Sequence, residues 1–275
     1  MGSGSDANEH PRAAKPCAHC GSKGESDGQQ QASPASPRPS PAAEIPPNKI
    51  ALNTNDEKLL RFIGERKVVL TTECVGHPQS IARSKQRLLT LGLIHDERIT
   101  VRAGRGGQGM ALALTRAGYE WLGIAPGGAG RGGLQHQYLV TRIAREITGS
   151  HVEFTLRDKR IDLVFALREE HRDLLNATIK ASTTFTTEPL EFAEHASIAI
   201  EVEVTDPVKT APVNAVKNAD VHIELTIIAT LPNDKEKTIA AIEQLTQEIR
   251  KHTILIDALT LLRLTQEIAS NGDKT

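Results

Sequence analysis

The second half of the chain alternates between strand-like and helix-like segments, and this alternation constrains the fold more than any other feature. "LQHQYLVTRIAREITG", from residue 134, has apolar residues at helical spacing, and "SHVEFTL" and "RIDLVFAL" follow as two strands around a tight "RDK" turn. A partly helical insertion, the strand "IAIEVEVT" and two further helix–strand steps complete the order. This order predicts an α/β domain, a mixed sheet flanked by helices, over residues 134–265, with a flexible C-terminus over 266–275.

The first 52 residues have a different composition. They are rich in Pro, Ser, Gln and Gly and almost free of bulky apolar residues, so we predict a disordered tail. Cys17 and Cys20 form a CxxC that could supply half of a Zn²⁺ site, but four ligands are usual and no second CxxC follows. An unpaired thiol pair in a flexible tail is the favoured interpretation.

Residues 53–124 predict a smaller module. Helical spacing follows Asn55, a short helix begins at Thr71, and "SIARSKQRLLTLGLI" predicts a second long helix with Ser80 as its N-cap. Two strand-like runs around "RGGQG" predict a hairpin, and Thr115 caps a closing helix. A glycine-rich stretch over residues 125–133 then predicts a linker that acts as a hinge between two domains.

The charge distribution gives this module a candidate partner. The chain has a formal net charge of -1, but residues 80–116 carry seven basic and two acidic side chains, an excess of five positive charges. The basic helix, the glycine-rich hairpin and the closing helix "LTRAGYEWL" resemble the recognition helix, wing and last helix of bacterial winged helix-turn-helix DNA-binding domains. The resemblance implies binding of double-stranded DNA, with a solvated basic face as the alternative. The implied contacts are Ser80, Arg83, Ser84, Lys85 and Arg87 on the helix and Arg102 and Arg105 on the wing.

Two carboxylates share one face of a later strand. In "AIEVEVTD", Glu201 and Glu203 alternate with apolar residues, so their side chains point to the same side of the strand. Like charges this close repel unless they face water or share a cation. The pattern alone leaves both interpretations open, a solvated face or a metal site.

The order of elements, with Asp162 before the insertion and Glu201 after it, resembles the PD-(D/E)xK, or restriction-endonuclease-like, nuclease superfamily. It is also similar to the nuclease-like domains that follow a winged helix in DNA proteins of plasmids and other mobile elements. The resemblance implies that Asp162, Glu201 and the carbonyl of Val202 hold Mg²⁺ or Mn²⁺.

Glu203 departs from that motif, because lysine is usual at its position. Some members of the superfamily have Glu at this position, which implies that Glu203 binds a second cation or accepts a proton from water. Others carry the lysine on the following helix, which implies that Lys217 replaces it. The implied catalytic residues are therefore Asp162, Glu201, Glu203 and Lys217. We assign His136, at the start of its helix, a polar contact there and no role as a ligand.

These features predict a cytoplasmic, multi-domain α/β protein with a metal-dependent deoxyribonuclease domain. No apolar run is long enough to span a bilayer, and no signal-peptide core is present, so we expect no membrane partner. A homodimer and partner proteins of a mobile element are compatible with the resemblance. The main alternative is a non-catalytic DNA-binding regulator with a degenerate nuclease-like domain, which the departure at Glu203 favours. A ligand-sensing or protein-interaction module is a third hypothesis.

Overall fold

Two β-sheets pack against one shared helix in the computed structural model of this chain, which describes residues 51–102, 106–126 and 132–272. The helices are α1 (Thr54–Arg66), α2 (Pro78–Thr90), α3 (Arg116–Leu122), α4 (Leu134–Glu146), α5 (Arg172–Ala181), α6 (Pro207–Asp220), α7 (Lys235–Ile242), α8 (Gln247–Arg250) and α9 (Ala258–Gly272). The strands are β1 (Val68–Leu70), β2 (Ile94–Thr100), β3 (Gln108–Leu114), β4 (His151–Leu156), β5 (Lys159–Ala166), β6 (Thr183–Thr184), β7 (Ser197–Glu203), β8 (Leu225–Thr230) and β9 (Thr253–Asp257). Single 3-10 turns occur at Thr71–Glu73, Glu169–His171 and Pro232–Asp234. The predicted α/β class is thereby confirmed.

The smaller sheet has the order β1-β3-β2 and is antiparallel throughout. Buried apolar residues lie on both of its faces. Val69 and Leu112 pack in a cluster with α1, α2 and α3, whereas Val68 and Leu70 pack in the cluster that includes α4. Because alternate residues of a strand point to opposite faces, one short strand contributes to both clusters.

The larger sheet has the order β4-β5-β7-β8-β9-β6. Its centre, β7-β8-β9, is parallel, and the remaining pairs are antiparallel. Helices α4, α5 and α9 cover one face, where Ile200 and Ile227 are buried, and α6 and α7 cover the other, where Ile228 is buried. The sheet is therefore mixed and covered on both faces, as the sequence predicts.

The two sheets are not joined by a hinge alone. The cluster on α4 contains Val68 and Ile99 from the smaller sheet together with Ile200 and Ile227 from the larger one. The described residues, 51–102, 106–126 and 132–272, accordingly belong to one compact unit. The prediction of two domains separated by a flexible linker is therefore corrected: the glycine-rich stretch precedes α4, and both sheets pack against this helix. Residues 127–131 of that stretch lie outside the described residues.

Several boundaries differ from the predictions. The predicted flexible C-terminus is wrong as far as Gly272, because α9 continues to that residue and Ile268 packs against the core. Helix α2 begins at Pro78, whose fixed φ suits a first helical position, so Ser80 lies inside the helix and is not its N-cap. Residues 234–251 contain two short helices, α7 and α8, and Leu245 between them packs beside Ile242.

The predicted tail, residues 1–52, lies outside the described residues up to residue 50, and with it Cys17 and Cys20. Arg105 also lies outside them. Within the described part of the chain, no helix is both long and apolar enough to cross a membrane.

Candidate functional site

The site forms where β5 and β7 stop pairing. Their antiparallel register runs from Ala166↔Ser197 to Leu163↔Ile200. Beyond this register, a side chain takes the place of the backbone hydrogen bonds between the two strands. Asp162 Oδ2 accepts a hydrogen bond from the Val202 N–H at 2.9 Å. The Asp162 N–H in turn donates to Glu201 Oε2 at 3.4 Å. Asp162 and Glu201, the two predicted metal ligands, therefore lie side by side on neighbouring strands.

Glu201 is almost fully buried, with 1% of its surface exposed. Lys217 Nζ lies 2.7 Å from its Oε1, and the Asn218 side-chain amide donates to the same oxygen at 3.0 Å. Burial and the negative charge of Asp162 raise the pKa of Glu201 to about 7, although Lys217 and Asn218 oppose that shift. The contacts with Lys217 and Asn218 are thus insufficient to offset the combined effect of burial and Asp162 on this pKa.

Lys217 occupies the centre of this cluster. Its Nζ donates to the backbone carbonyl of Arg160 on β5 as well as contacting Glu201, and only 14% of its side chain is exposed. Helical spacing explains how α6 supplies several such contacts, because residues three or four positions apart share one face. The sequence predicts that Lys217 belongs to the site, and the structure brings it to Glu201.

Glu203 is held differently. Only 7% of it is exposed, and its Oε2 accepts a hydrogen bond from the Thr210 hydroxyl at 2.5 Å. Its Oε1 accepts one from the Asn214 side-chain amide. Both donors belong to α6, so the contacts of Glu203 fasten this helix to the sheet. This arrangement does not support the predicted role as general base, since both oxygens are engaged by the helix.

His136 belongs to the site, which the sequence analysis missed. Its Nδ1 lies 2.8 Å from the Val202 carbonyl oxygen, and its Nε2 lies 3.4 Å from Asp162 Oδ1. A carbonyl oxygen only accepts hydrogen bonds, so Nδ1 carries a proton. Burial lowers the pKa of His136, but Asp162, the Val202 carbonyl and Glu203 outweigh it and raise this pKa above its ordinary value. These contacts thus favour the protonated form of His136 beside Asp162.

One sequence signal could have identified His136. The Cβ of any other residue at position 132 would lie 2.5 Å from the imidazole, so Gly132 provides the space that the ring occupies. The glycines that predicted a linker thus serve the packing of the site as well.

The donor set is compatible with a hard divalent cation, but incomplete. Among the described residues, no group of three or more His, Cys, Asp or Glu side chains is arranged to hold a metal ion. Mg²⁺ in phosphate-processing sites is commonly held by one or two carboxylates together with water and substrate oxygens. Asp162 and Glu201 supply two carboxylates, but both Glu201 oxygens already accept hydrogen bonds, Oε1 from Asn218 and Oε2 from the Asp162 N–H.

The residues predicted to contact DNA fall into distinct environments. Arg83 and Arg102 are exposed, and Ser80 is partly buried. Lys85 forms an ion pair with Asp96 at 2.6 Å, and Arg87 Nη1 forms one with the buried Asp56 at 2.9 Å.

Ser84 is 4% exposed, and the prediction that it contacts DNA is corrected because it faces the interior. Of the predicted helix contacts, Arg83 is therefore the one whose charge is both exposed and free of an ion pair with any described residue.

Comparison with known proteins found no matching protein-family model, curated protein or solved structure.

Proposed function

We propose that this chain is a DNA-binding protein whose larger sheet carries a divalent-cation-dependent site for phosphodiester hydrolysis. One observation carries the proposal: Asp162 from β5, Glu201 from β7 and Lys217 from α6 converge at the point where the two strands separate. Their joint placement agrees with the roles that the resemblance to the PD-(D/E)xK superfamily implies.

Binding to DNA is supported by the first part of the chain. The order α1, β1, α2, β2, β3 and α3, with the β2–β3 hairpin beside a basic helix, is the order expected of a winged helix. Arg83 on α2 and Arg102, two residues after β2, are exposed and suited to contact phosphates. We propose that α2 enters the major groove and that the hairpin contacts the adjacent backbone.

In the proposed reaction each residue has a limited role. Asp162 and Glu201 would hold the cation, which supplies charge to offset that on the phosphodiester and lowers the pKa of bound water. The Asp162 side chain is 23% exposed, which makes it more accessible than Glu201 or Glu203. Lys217 keeps a fixed positive charge against Glu201 and holds that carboxylate in place.

A second candidate function is a non-catalytic DNA-binding regulator. The contacts of Glu203 favour it, because a carboxylate held by Thr210 and Asn214 serves to fix α6. In this alternative the cluster of charges stabilises the fold, and the larger sheet supports DNA binding alone.

One experiment separates the two candidates. Wild type, Asp162→Asn and Asp158→Asn are incubated with supercoiled, linear, single-stranded and branched DNA, with Mg²⁺, with Mn²⁺ or with EDTA. Asp158 is a matched control because it is exposed, belongs to the same hairpin and has a positive φ of 64°, which Asn tolerates. We expect cation-dependent cleavage by wild type and Asp158→Asn but not by Asp162→Asn.

The remaining outcomes are also informative. A gel shift without cleavage of any substrate would favour the regulator. Cleavage that survives in Asp162→Asn would point to a contaminating nuclease. If neither cleavage nor a gel shift is observed at low salt, both candidate functions are wrong.

A further inference from the structure

The first turn of α4 connects the smaller sheet to the carboxylate site. Gln135 makes two hydrogen bonds to the backbone of a single residue, Thr100: its Nε2 donates to the Thr100 carbonyl at 2.8 Å, and its Oε1 accepts from the Thr100 N–H at 2.6 Å. Thr100 is the last residue of β2, and β2 is an edge strand. The Gln135 amide thus pairs with the free edge of that strand as a neighbouring strand would.

A second contact fixes the same turn of the helix. The N-cap of α4 is Gly133, which has no side chain to accept hydrogen bonds from the first turn. Glu97, also on β2, fills this role, since its Oε2 accepts from the Leu134 N–H at 3.3 Å. The start of α4 is therefore held by the backbone and by a side chain of one strand.

The residue after Gln135 is His136, which contacts the Val202 carbonyl and Asp162. A continuous path of contacts therefore runs from Thr100 through Gln135 and the adjacent His136 to Asp162. Arg102, which we propose to contact DNA, lies two residues beyond Thr100. A shift of the end of β2 would be transmitted to α4, because two short hydrogen bonds to one residue resist sliding in both directions.

We propose that Gln135 is a positioning residue that couples DNA binding at the β2–β3 hairpin to the placement of His136 against Asp162. This inference rests on the proposed DNA-binding function, and it does not require that the site cleave DNA.

The test measures the His136 imidazole directly. Protein labelled with ¹⁵N-histidine is titrated with a short duplex of mixed sequence at low salt and constant pH, and the His136 ring signals are assigned with His136→Asn. Wild type is compared with Gln135→Met, which keeps the length of the side chain but removes both hydrogen bonds. Gln247→Met, at an exposed glutamine on α8, is the control. DNA affinity is measured for all variants.

We expect DNA to shift the His136 signals of wild type and of the control. In Gln135→Met the shift should fall at least threefold while the dissociation constant changes less than twofold. Three results would overturn the inference: an equal shift in Gln135→Met, no shift in wild type despite binding, or a parallel loss of shift and affinity, which indicates a merely structural role. In the first two the DNA-binding function stands. If wild type does not bind the duplex, the proposed function fails and the inference fails with it.

Discussion

Two buried carboxylates, Asp56 beside the smaller sheet and Glu201 in the larger sheet, each form an ion pair with a basic side chain of a neighbouring helix. The surroundings of the two ion pairs differ. Asp56 on α1 has no exposed surface and lies 2.9 Å from Arg87 on α2. Glu201 on β7 is 1% exposed and lies 2.7 Å from Lys217 on α6. The arginine is half-exposed, whereas 14% of the lysine side chain is exposed.

The difference lies in what else is near each carboxylate. Asp56 belongs to the first turn of α1, where the helix dipole favours a negative charge. Burial and, after it, the charge of the neighbouring Asp162 raise the pKa of Glu201 to about 7. The Arg87–Asp56 pair is thus isolated and suits a structural role, while the Lys217–Glu201 pair belongs to a larger cluster with Asp162 and His136. A buried carboxylate with a perturbed pKa in a cluster of ionisable groups is characteristic of functional sites.

The largest effect is expected from Lys217→Met. The substitution leaves Glu201 buried beside Asp162 with no cation, so the free energy of unfolding at pH 8 should fall by about 3 kcal/mol. Urea unfolding followed by circular dichroism measures it. Lys209→Met, at an exposed lysine of the same helix, is the matched control and should change stability by less than about 0.5 kcal/mol. Equal losses of stability in the two variants would contradict the claim that the ion pair with Lys217 stabilises the buried Glu201 carboxylate.

The pKa of Glu201 predicts the next effect. Its folded-state value of about 7 exceeds its ordinary value of 4.5, so its stabilising contribution is complete below pH 4.5 and is lost as the pH rises through 7. Each unit of that difference corresponds to about 1.4 kcal/mol. The stability of wild type relative to Glu201→Gln should therefore fall by roughly 2 kcal/mol between pH 5 and pH 7.5 in the absence of added cations.

Unfolding curves of both proteins over this pH range provide the measurement. Other titrating groups are common to the two proteins and cancel in the difference. A difference that stays constant with pH would mean that Glu201 is ionised throughout, and the contrast with Asp56 would lose its basis.

The sequence predicted the elements around this site better than the directions of its side chains. Alternating apolar residues identified β7, and the tight turn before β5 was predicted, with Arg157 and Asp158 both at positive φ as two-residue hairpin loops require. The resemblance to the PD-(D/E)xK superfamily implied that Asp162, Glu201 and Lys217 lie close together.

What the sequence did not predict depends on packing between distant segments. His136 reaches Val202, 66 residues away, only because α4 packs across the end of β7. Ser84 and Glu203 looked available for binding in the sequence. Both are buried because α2 packs against α1 and α6 packs against β7. Such contacts between separate elements are not visible in a local sequence pattern.

A smaller loss of stability is expected when the Arg87–Asp56 ion pair is broken. Arg87→Ala leaves Asp56 buried without its partner, but the helix dipole remains, so the loss of stability should be about 1.5 kcal/mol. Adding Asp56→Asn should restore part of it, because the orphaned charge is removed. Thermal unfolding of the two variants measures both steps. If the double variant is less stable than Arg87→Ala, then Asp56 is stabilised by contacts other than the arginine.

The smallest effect on stability, and the sharpest on binding, is expected for Arg83→Ala. Arg83 lies four positions before Arg87 on α2, is exposed and forms no ion pair with any described residue, so its removal should cost less than about 0.5 kcal/mol of stability. If Arg83 contacts a phosphate, the slope of log affinity against log salt should fall in magnitude by about one in Arg83→Ala.

The control is Arg87→Ala, which should leave that slope unchanged once the folded fraction is matched, because the Arg87 guanidinium is paired with Asp56. Fluorescence anisotropy with a labelled duplex over a salt series measures both slopes. Equal changes in the two variants would mean that Arg87 leaves Asp56 when DNA binds, and the buried carboxylate in α1 would then be part of the binding surface rather than its support.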